Sequence, residues 1–344
     1  MNTIYPYLYT RGAFLKKKLL QGQDYERLLK MELPEIIKFL GETDYRKAID
    51  ELALSLSGVD LMEAALNRGL ADFFRRIRGF ADMQSRFILD TYLERWDVAN
   101  AKTVLRIMFS DADREKAGLL LIPAGRHPAE YFLGLLKLPS IEDALRRMEF
   151  IDGKAREEAV SAYAGGKSLL HVETILDRQY YAAMFRQGKR MGAEHMMFKR
   201  FLGDEIAIIN LKTVMRMRSE GIEPAEIRKY LIQKAGEDDA QLAGMLSAPG
   251  IEGMVAEARK GGYGKFLSSI GGATLLEAEL ACDRYLIGKY ASSAYMNPLS
   301  IAPLLTIMFI KAAEVGNIKA LVKAKQLGMG QEFIEGKAVV KCWR

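Results

Sequence analysis

The sequence predicts an all-α protein made of three copies of one helical unit. Three observations predict it. Apolar residues recur at helical spacing, as in Leu61, Ala65, Leu66, Leu70, Phe73 and Phe74. No convincing period-two run bounded by turn residues is present, and Ala338-Val339-Val340 is the nearest approach to one. Finally, landmarks return in one order with a period near 110 residues. Glu63-Ala64-Ala65-Leu66-Asn67-Arg68 returns as Glu173-Thr174-Ile175-Leu176-Asp177-Arg178 and as Glu279-Leu280-Ala281-Cys282-Asp283-Arg284, at steps of 110 and 106. Asn100-Ala101-Lys102 returns as Asn210-Leu211-Lys212 and Asn317-Ile318-Lys319, at steps of 110 and 107. Pro34, Pro139 and Pro249 keep the period, as do Gly22, Gly125 and Gly236. From the motif Arg to the Asn the distance is 32, 32 and 33 residues, too constant for chance.

The elements follow in order. Residues 11–31 read as helix around Leu15, Leu19, Leu20, Leu28, Leu29 and Met31, interrupted at Gly22 and stopped at Pro34. Ile36, Ile37, Leu40, Ile49, Leu52 and Leu54 suit helices joined near Gly41 and Asp44. Ser57-Gly58-Val59-Asp60 ends one helix and caps the next, the motif helix, which Gly79 interrupts. A helix then runs through Phe87, Ile88, Tyr92, Leu93 and Trp96 into the Asn100 helix. The same order is traceable twice more. Boundaries fall after each Asn helix, at Ser110-Asp111-Ala112-Asp113 and at Ser219-Glu220-Gly221-Ile222-Glu223-Pro224, giving domains 1–112, 113–222 and 223–344.

Composition narrows the function classes. With 344 residues, 49% hydrophobic and 27% charged, the chain is ordinary for a globular protein. Cys282 and Cys342 are its two cysteines, which fits a reducing compartment rather than a disulfide framework. His127, His171 and His195 are too scattered for a metal site. No signal peptide is visible. The longest apolar run, Pro298 to Ile310, is shorter than the ~20 residues of a spanning helix and reads as a buried core helix. A net charge of +6 favours an acidic partner, an anionic membrane surface or nucleic acid.

The chemistry-bearing patterns are weak. Gly165-Gly166-Lys167-Ser168 resembles the end of a phosphate loop, but position 161 is Ser161 and no strand precedes it, so it reads as a helix-joining loop. Gly261-Gly262-Tyr263-Gly264-Lys265 fails likewise, with Phe266 in place of the hydroxyl residue. Glu173 and Asp177 share a helix face, but their counterparts are Glu63 and Asn67, so a paired-carboxylate mechanism repeated three times is not supported. Phe73-Phe74-Arg75-Arg76-Ile77-Arg78-Gly79-Phe80 interleaves aromatics and arginines as a nucleic-acid surface would, without returning in the other copies. The structural reading is that Glu63, Glu173, Glu279, Arg68, Arg178 and Arg284 find partners when buried. Asn100, Asn210 and Asn317, poor helix-interior residues, are then satisfied by a neighbouring helix. The constant spacing further predicts that each motif helix packs on the Asn helix of its own copy.

Asn297-Pro298-Leu299, Glu314-Val315-Gly316-Asn317-Ile318-Lys319, the tripled Glu-x-x-Leu-Asp-Arg pattern and the tripled length together resemble the C subunit of archaeal-type (A-type) ATP synthases, a family related to the d subunit of V-type ATPases. The resemblance covers essentially the whole chain. It implies three helical domains forming a funnel with pseudo-threefold symmetry. It also implies a non-catalytic central-stalk component on the cytoplasmic face of the membrane, binding the rotor ring and the central stalk and transmitting torque. No cofactor and no nucleic acid are implied, and the chain is a single copy within a hetero-oligomeric complex. Two residues depart from the repeat: Asn67 stands in place of Asp, which weakens any claim that this carboxylate is essential in copy one, and Cys282 stands in place of Leu; neither touches the architecture. The rival from another class is a basic helical-repeat module binding nucleic acid or an acidic protein.

Overall fold

The computed structural model describes residues 4–110, 113–166, 168–232, 240–260 and 274–329. Asp111, Ala112, Lys167, Gly236, residues 261–266, Gly271, Gly272, Ala338-Val339-Val340 and Cys342 lie outside them. All regular structure among the described residues is helical. Four helices, α1 (Ile4–Lys16), α2 (Gly22–Lys30), α3 (Leu33–Leu40) and α4 (Arg46–Leu52), precede the long α5 (Gly58–Phe80). Next come α6 (Met83–Leu93) and α7 (Arg95–Ser110). Short helices α8 (Ala117–Leu120), α9 (Ala129–Leu135), α10 (Ile141–Arg147) and α11 (Gly153–Gly166) lead to the long α12 (Leu169–Gly188) and α13 (His195–Ser219). Among the described residues there follow α14 (Pro224–Ile227), α15 (Ala240–Ser247), α16 (Gly250–Lys260), and the long α17 (Leu275–Met296) and α18 (Ala302–Gln326).

Local chemistry explains most boundaries. Glu32 and Glu35 form a capping box at the start of α3, with Pro34 in its first turn. Asp82 caps α6 by accepting from the Ser85 N–H at 3.0 Å. Gly58, with φ +58°, opens α5 where an L side chain would be strained. Two sequence expectations shift. α1 starts at Ile4, well before residue 11, because Pro6 in a first turn costs no hydrogen bond, and Tyr5, Leu8 and Leu15 form its buried stripe. Leu54, read as part of an apolar face, is 91% exposed, because α4 stops at Leu52.

The chain forms two compact units, residues 1–160 with 291–344, and residues 161–290. In the first, α3, α4, α8 and α18 pack on α5, and α1 lies along α18. Phe73, Phe74, Ile36, Leu40, Leu304 and Leu305 are buried in its core. Each such side chain contributes about 1.5–3 kcal/mol by leaving water. A Cβ on Gly69 would overlap the Tyr45 ring, so this glycine lets the ring lie directly on α5. In the second unit α12, α14, α15 and α16 pack around α13, with Phe198, Leu202, Ile206, Leu211 and Val214 buried. The apolar run before Ile310 is the first half of α18, a core helix with Leu304, Leu305, Ile307 and Met308 buried. Among the described residues, no helix is long and apolar enough to cross a membrane.

Candidate functional site: backbone clamps and charged seams

The recurring asparagines do one job in two places. Asn100, 1% exposed on α7, donates from Nδ2 to the Ile122 carbonyl at 2.8 Å and accepts the Ile122 N–H on Oδ1 at 2.8 Å. Asn210 on α13 treats Ile232 identically, with both bonds again at 2.8 Å. In both cases the partner lies 22 residues onward. The preceding residues are extended: Leu121 has φ −74° and ψ 143°, and Leu231 has φ −80° and ψ 141°. A carboxamide carries one acceptor and two donors, so it completes the N–H and C=O of one extended residue as a neighbouring strand would. The sequence points to a neighbouring helix as the partner. The partner is instead an extended backbone with no strand of its own to pair with.

The motif helices hold the same incoming segments. Asn67, 2% exposed on α5, donates to the Leu119 carbonyl at 2.7 Å. On α12, Arg178 donates from Nε to the Leu231 carbonyl at 2.9 Å and from Nη2 to the Lys229 carbonyl at 2.8 Å. Residues 119–122 and 229–232 are thus each gripped from two long helices.

The motif carboxylates serve a second purpose. On α13, Lys212 and Arg216 lie four apart on one face, as do Glu279 and Asp283 on α17. The helices run antiparallel, so Lys212 meets Asp283 at 2.5 Å while Arg216 grips Glu279 with two guanidinium nitrogens. The seam continues with Lys289 to Asp204 at 2.6 Å and with Tyr290 stacked on Phe201 at 3.8 Å. The Glu279 hydrogen bond raises the pKa of Arg216 above its ordinary value.

A matching seam joins α18 to α5. Lys319, two residues after Asn317 as Lys212 is after Asn210, donates to Asn67 Oδ1 at 2.6 Å and lies 4.0 Å from Glu63. Burial pushes the Lys319 ammonium below its ordinary value, opposed by Glu63. The missing carboxylate at Asn67 thus leaves a weaker electrostatic partner than Lys212 has in Asp283. Each seam connects an Asn helix to a motif helix, α13 to α17 and α18 to α5. The sequence expectation pairs each motif helix with the Asn helix of its own copy. α12 and α13 are indeed neighbours, but these bridges use the other, basic face of the Asn helix.

The remaining motif residues have more local settings. Arg68 is half-exposed and pairs with Glu51. Glu173 and Asp177 are half-buried on α12. Arg284 Nε on α17 and Asn317 Nδ2 on α18 are buried and have no hydrogen-bond partner among the described residues.

Sequence reasoning missed two buried acids that stand three residues before an Asn of the repeat. Asp97, 1% exposed and three residues before Asn100, accepts the N–H groups of Arg126 and His127 at 2.9 and 3.1 Å. A Cβ on Gly125 would overlap that carboxylate, which is the physical reason for this landmark glycine. Glu314, three residues before Asn317, accepts from the Leu20 N–H at 2.7 Å, the Tyr45 hydroxyl at 2.7 Å and Lys311 Nζ at 2.5 Å. Burial first, and then Glu314, raise the Tyr45 pKa well above its ordinary value. An acid three residues before the Asn was the available signal, and it is missing before Asn210, where Ala207 takes that place.

A family model for the ATP synthase (C/AC39) subunit matches residues 8–337. The chain belongs to that family. It is 30% identical to the A-type ATP synthase C subunit of Archaeoglobus fulgidus over 97% of this chain and 96% of the relative. It is 29% identical to the C subunit of Methanosarcina acetivorans, covering 98% and 93%, and 28% identical to that of Haloferax volcanii, covering 97% of each. A C/AC39 protein is one component of a hetero-oligomeric ATP synthase, not an enzyme in its own right. The aromatic and arginine run fits this membership better than a nucleic-acid surface. Phe73, Phe74 and Ile77 are buried, Arg75 pairs with Asp72, Arg76 with Asp44 and Arg78 with Asp90. The buried Phe73 and Phe74 rings cannot stack on bases. Gly165 and Gly166 end α11 and Ser168 precedes α12, so that segment joins two helices.

Proposed function

We propose that this chain is the non-catalytic rotor component that joins the membrane ring of an A/V-type ATPase to its central stalk and transmits torque between them. The carrying observation is the pair of seams between long helices: α13 and α17 are cross-bridged at successive turns, and Lys319 of α18 joins Asn67 and Glu63 of α5. A torque-bearing adaptor needs resistance to twisting, and charged bridges spaced along two rigid helices resist sliding and rotation together. The repeated landmarks support three copies, 1–112, 113–222 and 223–344, related by rotations near 120° and opening as a funnel for the stalk. The site residues act as internal fasteners of that body: Glu63, Asn67, Arg68 and Asn100 in copy one; Glu173, Asp177, Arg178 and Asn210 in copy two; Glu279, Asp283, Arg284 and Asn317 in copy three.

The net charge of +6 supports an acidic or mixed-charge stalk and a place beside anionic headgroups on the cytoplasmic face of the membrane. Binding of the purified chain to purified stalk protein tests this reading. Complex formation that weakens from low to high salt, without nucleotide hydrolysis, is the expected result. Stoichiometric ATP binding by the chain alone would overturn it.

A further inference from the structure

Helix α1 carries two stripes. The first, Tyr5, Leu8, Gly12 and Leu15, is buried, and Gly12 lies so close to α18 that a Cβ there would stand 3.2 Å from the Leu304 side chain. The second, Tyr7, Arg11, Phe14 and Lys18, follows at steps of four, three and four and is exposed along its length. Tyr7 is 48% exposed and Phe14 59%, so neither ring belongs to the core. Rings and cations alternate on this stripe. Arg11 lies over the Tyr7 ring at 6.0 Å and over Phe80, at the end of α5, at 5.4 Å. Lys18 lies over Phe14 at 5.3 Å.

The charge here has one sign. Residues 1–23 hold Arg11, Lys16, Lys17 and Lys18 and no Asp or Glu. The first half of α18, beside Gly12, adds none, because Ala302 to Ala313 is also free of acids. Asp44 answers Lys18 at 3.0 Å, but Arg76 shares that carboxylate. Arg11, Lys16 and Lys17 are exposed and meet no carboxylate among the described residues.

By charge alone an acidic protein, a nucleic acid or an anionic bilayer would suit this surface. The rings favour the bilayer. Aromatic side chains beside Lys and Arg match a bilayer's interfacial layer, where rings sit among the headgroups and long basic side chains reach the phosphates. A nucleic acid would instead use ring faces to stack bases, and Arg11 already lies over those of Tyr7 and Phe80.

We propose that the exposed stripe of α1 binds the surface of an anionic bilayer, with Arg11 and Lys17 on headgroup phosphates and Tyr7 and Phe14 in the interfacial layer. The proposal rests on the placement beside anionic headgroups given above and names the surface that makes the contact.

Co-sedimentation of the full-length chain with vesicles of equal parts phosphatidylglycerol and phosphatidylcholine tests it. The wild type should bind these vesicles at low salt, and bind phosphatidylcholine alone at least about 10-fold more weakly. Each basic residue beside an anionic surface contributes about 5-fold, so Arg11→Gln combined with Lys17→Gln should weaken binding about 25-fold. Phe14→Ser should weaken it several-fold. These side chains are exposed, so the variants should melt with the wild type. Absence of binding to the anionic vesicles, or binding that both variants leave unchanged, would overturn the proposal. So would duplex DNA or polyglutamate bound more tightly than the vesicles at the same salt. Stalk binding is a separate readout. A chain that binds vesicles but no stalk protein strikes the rotor reading alone, and one that binds stalk protein but no vesicles strikes the α1 stripe alone.

Discussion

Glu314→Ala should be among the most damaging single substitutions in residues 1–160 and 291–344. Glu314 and Lys311 are each 1% exposed, and the carboxylate answers three donors: Lys311 Nζ, the Tyr45 hydroxyl and the Leu20 N–H. Removing it strands an ammonium in the core. The Tyr45 ring, 4.0 Å from Lys311 Nζ, and the Phe73 ring at 5.4 Å offer only a weak cation–π alternative. Breaking a buried pair by deleting one partner costs about 3–5 kcal/mol. With an unfolding entropy near 2.1 cal/mol/K per residue, cooperative unfolding of the whole chain converts this to a Tm lowered by about 4–7 °C. Differential scanning calorimetry of wild type and variant at pH 7 measures it. Glu314→Gln combined with Lys311→Met, which leaves no buried charge, should recover part of the loss. A Glu314→Ala protein melting within about 1 °C of wild type would refute the reasoning.

Other perturbations have expected outcomes. Asn210→Ala strands the Ile232 N–H and C=O and should cost about 2–4 kcal/mol in denaturant unfolding, with Asn100→Ala similar. Gly125→Ala forces a methyl onto the Asp97 carboxylate and should cost about 1–3 kcal/mol by the same assay. Burial pushes the Asp44 carboxyl up, but Arg76 and Lys18 overcome this and hold it below the ordinary 3.8. Its contribution is therefore present above 3.8 and lost as the pH falls through the folded value, so Asp44→Asn should cost about 1 kcal/mol at pH 7 and progressively less in acid. Burial pushes the Cys282 thiol up to about 12. In a Cys342→Ser background, native protein at pH 8 should therefore resist thiol reagents that react at once after denaturation.

The helical class was legible because long amphipathic helices repeat their stripes, and the landmark residues were legible because they bear on backbone geometry. Asn100 and Asn210 recur because one carboxamide can satisfy a whole extended residue. Gly125 stays small because Asp97 lies against it. Less legible was which helix each motif residue would meet. Spacing along the chain ties Glu279 to Asn317, but the bridge from Glu279 runs to Arg216, since a helix carries different chemistry on different faces. The Glu314 and Asp97 networks were invisible for another reason. A charged residue on an amphipathic helix reads as solvated until the packing that buries it is known.

Affinity purification of the full-length chain from its native membranes tests the central claim most directly. The account predicts co-purification, in fixed stoichiometry, of nucleotide-binding subunits and a very apolar ring protein. Recovery of the chain without either, from membranes whose ATPase remains assembled, would contradict it.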